Sequence, residues 1–177
     1  VQGQIIGIAG TGSIGVEVAR FCQGFGMQTR GLNTAGSATE NFDSCYDGGS
    51  ITAFANNLDY LVALLPDTPV TDGMINHRVF DALKPGAVLI NAGRGNSLNY
   101  PALSRALQQG QLGRAVLDVF PEEPLPQSDP LWHMENVYIT SHTAAPTSTP
   151  AIVDIFCQNY RRFQAGDTLF HEIDFDQ

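Results

Sequence analysis

The chain is short of positive charge. Nine Lys and Arg stand against eighteen Asp and Glu in 177 residues, a formal net charge of -9. With the acidic residues spread along the length, neither nucleic acid nor an anionic membrane surface is expected as a partner. Long hydrophobic runs are also missing: nothing approaches the ~20 apolar residues of a membrane-spanning helix. The first residues, VQGQ, lack a basic segment followed by an apolar core, so no signal peptide is expected. Cysteine is scarce. Cys22, Cys45 and Cys157 are odd in number and show no metal-ligand spacing. The plain expectation is no metal site, and reduced, buried thiols in a cytoplasmic protein. There are no repeats and no low-complexity segments.

What is present is a globular composition, 43% hydrophobic, at a length that suits one well-buried domain and is short for two. Apolar runs alternate with helical patterns. Strands are expected at 5–9, 27–32, 60–65, 87–92, within 114–120 and at 137–141, with a small one near Cys45. Helices are expected at 13–25, 51–57, 74–83, 100–109 and about 149–165. In the first helix Ile14, Val18, Phe21 and Phe25 are spaced for one face. Several strands are apolar throughout, as in a parallel sheet covered on both sides. The expected fold is therefore α/β, a Rossmann-type doubly wound parallel sheet.

In such sheets ligands bind beyond the carboxyl ends of the strands. The first strand runs into Gly10-Thr11-Gly12-Ser13-Ile14-Gly15 and then a helix. The first glycine permits a tight turn, the second lets the backbone approach a pyrophosphate, and the third lets helix pack on strand. GxGxxG alone is weak evidence, but between a strand and a helix it is much stronger. The second strand ends at Asn33-Thr34, where NAD sites usually carry an acidic residue. No Arg or Lys follows to attract a 2′-phosphate, so NAD(H) and NADP(H) both stay open. The remaining strand ends bring Leu65-Pro66 with Thr68, Ala92 with Arg94, then Asp118, then His142 to the same rim.

NAGRG (91–95), LDVFPEEPLP (117–126) and VYITSHTAA (137–145), with GTGSIG in front, resemble the D-isomer-specific 2-hydroxyacid dehydrogenases in order and spacing. EPLPQSDPLW (123–132) leans toward the glyoxylate/hydroxypyruvate reductase branch. The resemblance implies a catalytic Arg94, Glu123 and His142, with Asp118 contacting the nicotinamide carboxamide. It implies a small 2-keto or 2-hydroxy acid as substrate and a homodimer. The formate dehydrogenase branch pairs its His with Gln, where this chain has Glu123. The family usually has Pro where this chain has Ser141, so the backbone before His142 is expected to be less rigid.

The chemistry suits these residue types. Reduction of a keto acid takes a hydride from the nicotinamide and a proton from an acid near neutrality, which His142 can supply. A carboxylate at Glu123 favours the imidazolium. Arg94 can grip the substrate carboxylate through two hydrogen bonds. The expected division is a dinucleotide-binding domain at 1–148 and a C-terminal helix and tail at 149–177. The family's substrate domain, which precedes the glycine motif, is absent from this chain. The chain opens on Val, so a fragment of a two-domain enzyme, weakly active or inactive alone, is expected. The tail apolar residues Leu169, Phe170, Ile173 and Phe175 would then pack toward the missing domain. A nucleotide-sensing interaction module on the same fold is the competing reading, because it can keep the same trio.

Overall fold

The computed structural model describes residues 1–145 and 148–172. In chain order the elements are β1 (Ile5–Ala9), α1 (Ser13–Gly24), β2 (Gln28–Leu32), β3 (Ser44–Tyr46), α2 (Ile51–Ala55), β4 (Tyr60–Ala63), α3 (His77–Ala82), β5 (Ala87–Asn91), α4 (Tyr100–Gln108), β6 (Leu112–Leu117), β7 (Val137–Ile139) and α5 (Thr149–Ala165). Short 3₁₀ turns sit at Gly48–Ser50, Gly95–Ser97 and Pro130–His133.

The strands form one sheet in the order β3-β2-β1-β4-β5-β6-β7. Every pairing is parallel. The order reverses between β1 and β4, and the crevice at such a switch point is where this architecture binds ligands. Leu61, Leu89, Leu112 and Leu117 are fully buried on one face of the sheet, packed with Phe54, Val79, Phe80 and Leu103 from α2, α3 and α4. The opposite face holds a smaller cluster of Ile6, Ile8, Ala19, Met27 and Val62.

Helix ends follow local chemistry. Asn76 and Asn99 cap α3 and α4, their side chains accepting from Arg78 N and Ala102 N. Gly166, left-handed at φ 75°, closes α5.

Three expectations need correction. Of Ile14, Val18, Phe21 and Phe25 on α1, Val18 packs against the smaller cluster, but Ile14, Phe21 and Phe25 point outward and are 56%, 58% and 66% exposed. The helix meets the sheet most closely through the buried Gly15 and Ala19, because the glycine loop leaves no room for a side chain at Gly15. The strand expected within 114–120 starts two residues earlier and ends at Leu117, which leaves Asp118 at its tip. The three cysteines are free, but none is buried: Cys22 and Cys45 are half-buried and Cys157 is exposed.

The chain divides into two compact units, Val1–Ala144 and Ala145–Gln177. The second contains α5. Asn159 there holds the backbone of Phe170 through both atoms of its amide, at 3.0 and 2.7 Å, and the Arg162 guanidinium lies 4.3 Å from the Phe170 ring centre. Ile173 and Phe175 lie outside the described residues. Among the described residues no helix is long and apolar enough to cross a membrane.

Candidate active site and dinucleotide site

The glycine loop leaves β1 with Gly10 at φ +106°, a backbone state that L side chains rarely adopt. Its N–H bonds Leu32 O at 2.9 Å, tying the loop to the tip of β2. A Cβ on Gly15 would sit 2.1 Å from Gly10 O, so the third glycine is sterically required. A Cβ on Gly12 would meet nothing within 4 Å, so the backbone there faces open space that a ligand can enter. Ser13 and Ile14 follow in the first turn of the twelve-residue α1, which carries no acidic side chain. The loop thus presents unobstructed N–H groups at the positive end of a helix, the arrangement that receives a pyrophosphate.

At the β2 tip, Asn33 is fully engaged. Its Nδ2 donates to Ser37 O at 2.9 Å and to Thr11 Oγ1 at 3.2 Å. Its Oδ1 accepts from the N–H of Ala35 at 3.2 Å and of Ser37 at 3.1 Å. Thr34 beside it is exposed. Beyond β4, Leu65 is buried and Thr68 is held in a turn by Thr71, whose hydroxyl donates to Pro66 O at 2.7 Å.

Beyond β5, Ala92 N still bonds Ala63 O at 3.1 Å. The buried Asn91 then fixes the turn: its Oδ1 accepts from Gly93 N and its Nδ2 donates to Arg94 O, both at 3.1 Å. Ser97, also buried, donates to the same carbonyl at 2.8 Å. Arg94 is therefore anchored through its backbone while its side chain is exposed.

Beyond β6 and β7 the two tips are joined by Asp118, only 5% exposed. Its backbone carbonyl accepts from His142 N at 2.8 Å. Its carboxylate accepts from the Thr140 hydroxyl, from Thr143 N at 2.9 Å and from Ala144 N at 3.0 Å. Burial pushes this carboxyl up, but those three donors outweigh burial and hold it below its ordinary value. His142 takes the left-handed backbone at φ 56°, which costs energy for a residue other than glycine and is held by its surroundings. Its Nδ1 lies 2.8 Å from Glu123 Oε2, and Glu123 Oε1 accepts from Phe120 N at 2.9 Å. The hydrogen bond it accepts from His142, and then that from Phe120, set the Glu123 carboxyl below its ordinary value.

Arg94, Glu123 and His142 line one cavity of about 250 Å³ together with Asp67, Asn96, Gly95, Phe120 and Pro121. The Asn96 amide donates to Asp67, which links the turns after β4 and β5. Sequence reading found the trio but missed the residues that hold it, namely Asn91, Ser97 and Thr140. Buried asparagine, serine and threonine at strand ends were the available signal. Asp118, expected at the carboxamide of a nicotinamide, also holds the 140–144 backbone turn through its carboxylate.

A parallel sheet with a glycine turn at its switch point is an α/β fold of the Rossmann type, and the charged trio lies on the same rim. The chain belongs to the family described as D-isomer specific 2-hydroxyacid dehydrogenase, NAD binding domain, whose model matches residues 1–144. It is 40% identical over 163 residues to glyoxylate/hydroxypyruvate reductase A of Serratia proteamaculans, covering 92% of this chain and 52% of that protein. Its fold matches a D-isomer specific 2-hydroxyacid dehydrogenase family protein from Aeromonas salmonicida with a TM-score of 0.91 at 40% identity, covering 99% of this chain and 56% of that one. It also matches the NADPH-dependent glyoxylate/hydroxypyruvate reductase of Sinorhizobium meliloti, solved with NADP and sulfate, with a TM-score of 0.89 at 36% identity, covering 97% and 55%. The chain spans about half the length of the curated relatives it matches.

Proposed function

We propose that the chain forms the nucleotide-binding and catalytic half of a reductase for small 2-keto acids of the glyoxylate and hydroxypyruvate kind. The observation that carries this reading is the shared cavity of Arg94, Glu123 and His142, with His142 Nδ1 2.8 Å from Glu123 Oε2. The cavity adjoins a rim whose glycine turn fits a dinucleotide, since the space a Cβ would fill at Gly12 is open.

A nicotinamide dinucleotide supplies the hydride when bound. The backbone of Gly12, Ser13 and Ile14 would hold the pyrophosphate, with Gly10 shaping the turn and Gly15 letting the helix pack on the strand, and the strand tips at Asn33–Thr34, Leu65–Pro66 with Thr68, and Ala92 would complete the groove. Arg94 binds the substrate carboxylate with paired hydrogen bonds and draws electron density from the neighbouring carbonyl. His142, with Glu123 on its Nδ1, holds a proton at Nε2 and delivers it to the carbonyl oxygen during reduction. In the reverse direction the same nitrogen accepts the proton. Asp118 keeps the 140–144 turn, and hence the imidazole, in place.

The reading extends to a homodimer working in the cytoplasm. α5 and the tail are taken to pack toward a substrate domain carried by a longer protein. The test is turnover of glyoxylate and hydroxypyruvate by the two-domain protein, followed as loss of reduced-nicotinamide absorbance. Turnover that disappears in His142→Ala supports the assignment. Turnover that survives the substitution refutes it.

A further inference from the structure

We infer that this chain selects NAD(H) over NADP(H), and that the β2 tip at Asn33–Thr34 makes the selection. The inference rests on the dinucleotide reading above and goes beyond it. Similar proteins have been solved with the phosphorylated form: one from Xanthobacter autotrophicus with NADPH, another from Sinorhizobium meliloti with NADP.

A dinucleotide whose pyrophosphate sits on the glycine turn places its adenosine ribose at the end of β2. A 2′-phosphate there brings about two negative charges out of water and needs a cation, most often Arg, in return. The β2 tip offers none. Asn33 is neutral, and its amide is spent on Thr11, Ser37 and the backbone of Ala35. The charged side chains of the following stretch, 33–50, are Glu40, Asp43 and Asp47, all acidic.

The nearest cation along the chain is Arg30, within β2. Its Nη1 donates to Asn56 O at 2.7 Å and to Phe54 O at 3.3 Å, the carbonyls at the end of α2. It is thus committed away from the strand tip. Arg20, on the last half of α1, is paired with Glu17 at 2.8 Å and stacked on Phe21. A 2′-hydroxyl has no such requirement. It can be met by the exposed Thr34 hydroxyl and by backbone groups of the turn.

The experiment titrates NADH and NADPH separately into the 177-residue chain and follows nicotinamide fluorescence, which needs no turnover. NADH is expected to bind at least about tenfold more tightly than NADPH, the worth of one charge-assisted hydrogen bond. In Thr34→Arg the ratio of the two dissociation constants is expected to move toward NADPH by a similar factor, and the gain should shrink as salt is raised. NADPH binding as tightly as NADH in the unaltered chain overturns the inference and leaves the dinucleotide site standing. If neither nucleotide binds, both the inference and the dinucleotide reading fall.

Discussion

The two ends of the sheet's carboxyl rim are built on opposite plans. Around β1 and β2 the working groups are backbone. Gly10, Gly12 and Gly15 contribute by having no side chain, and Asn33 turns its amide inward to hold its own loop. Around β5, β6 and β7 the groups proposed to act are charged side chains, and each is positioned by a different buried polar residue: Arg94 by Asn91 and Ser97, His142 by Asp118. One end is damaged by adding atoms and the other by removing them. A cofactor shared by many enzymes needs only a shape and a helix dipole, whereas a particular reaction needs a proton donor and an anion clamp at fixed positions.

The largest effect is expected from removing the proton donor. His142→Ala in the two-domain protein should lower kcat by roughly 10²–10⁴-fold, the usual worth of a positioned acid. Nucleotide binding, measured by fluorescence titration, should persist, because nothing at the glycine end changes. Loss of both together would mean that the two ends are not separable. The converse substitution is Gly15→Ala. Its Cβ would sit 2.1 Å from Gly10 O, so loop and helix must part. Nucleotide affinity should fall at least about tenfold, and stability should drop by about 1–3 kcal/mol as for other overpacked sites. A variant that binds NADH normally would show that the turn is looser than its geometry implies.

The contrast also governs what the sequence made legible. The glycine end announces itself, because its chemistry is local: a strand, a turn and a helix within residues 5–24 suffice. The alternation of apolar runs with helical patterns likewise revealed the parallel sheet, since strands buried on both faces leave continuous hydrophobic segments. The catalytic end is assembled from residues 24 to 48 positions apart in the chain (Arg94, Asp118, His142), and only the assumption that all strands point the same way brought them together. Their supports were not readable. That the buried Asn91 bonds two backbone groups of its own turn, or that Asp118 takes Thr140, Thr143 and Ala144 across two strand ends, depends on register and side-chain direction. Ile14, Phe21 and Phe25 lie outward while Val18 of the same stripe packs inward for a related reason: periodicity shows a stripe but not how the sheet cuts across it.

A smaller effect is expected at Asp118. Its carboxylate accepts three hydrogen bonds while nearly buried, and an amide cannot accept all three. Asp118→Asn should cost about 1–3 kcal/mol near neutrality, measured by urea unfolding. The carboxyl is held below its ordinary value in the folded chain. Its contribution is therefore complete above the unfolded value and disappears as pH falls through the folded one. The deficit of Asp118→Asn against the unaltered chain should narrow under acid. A deficit independent of pH would mean that charge plays no part in holding the turn.

The smallest effect tests whether the catalytic end depends on electrostatics as well as on geometry. Glu123 and His142 are 2.8 Å apart, but their side chains are 36% and 52% exposed, so water screens the pair. Exposed pairs are worth about 0–1 kcal/mol, so Glu123→Gln should lower kcat by less than about tenfold. A glutamine still reaches Nδ1 and accepts from it, so the orientation of the ring should survive. A loss of kcat as large as that of His142→Ala would mean that the charge at Glu123 is indispensable to the imidazole.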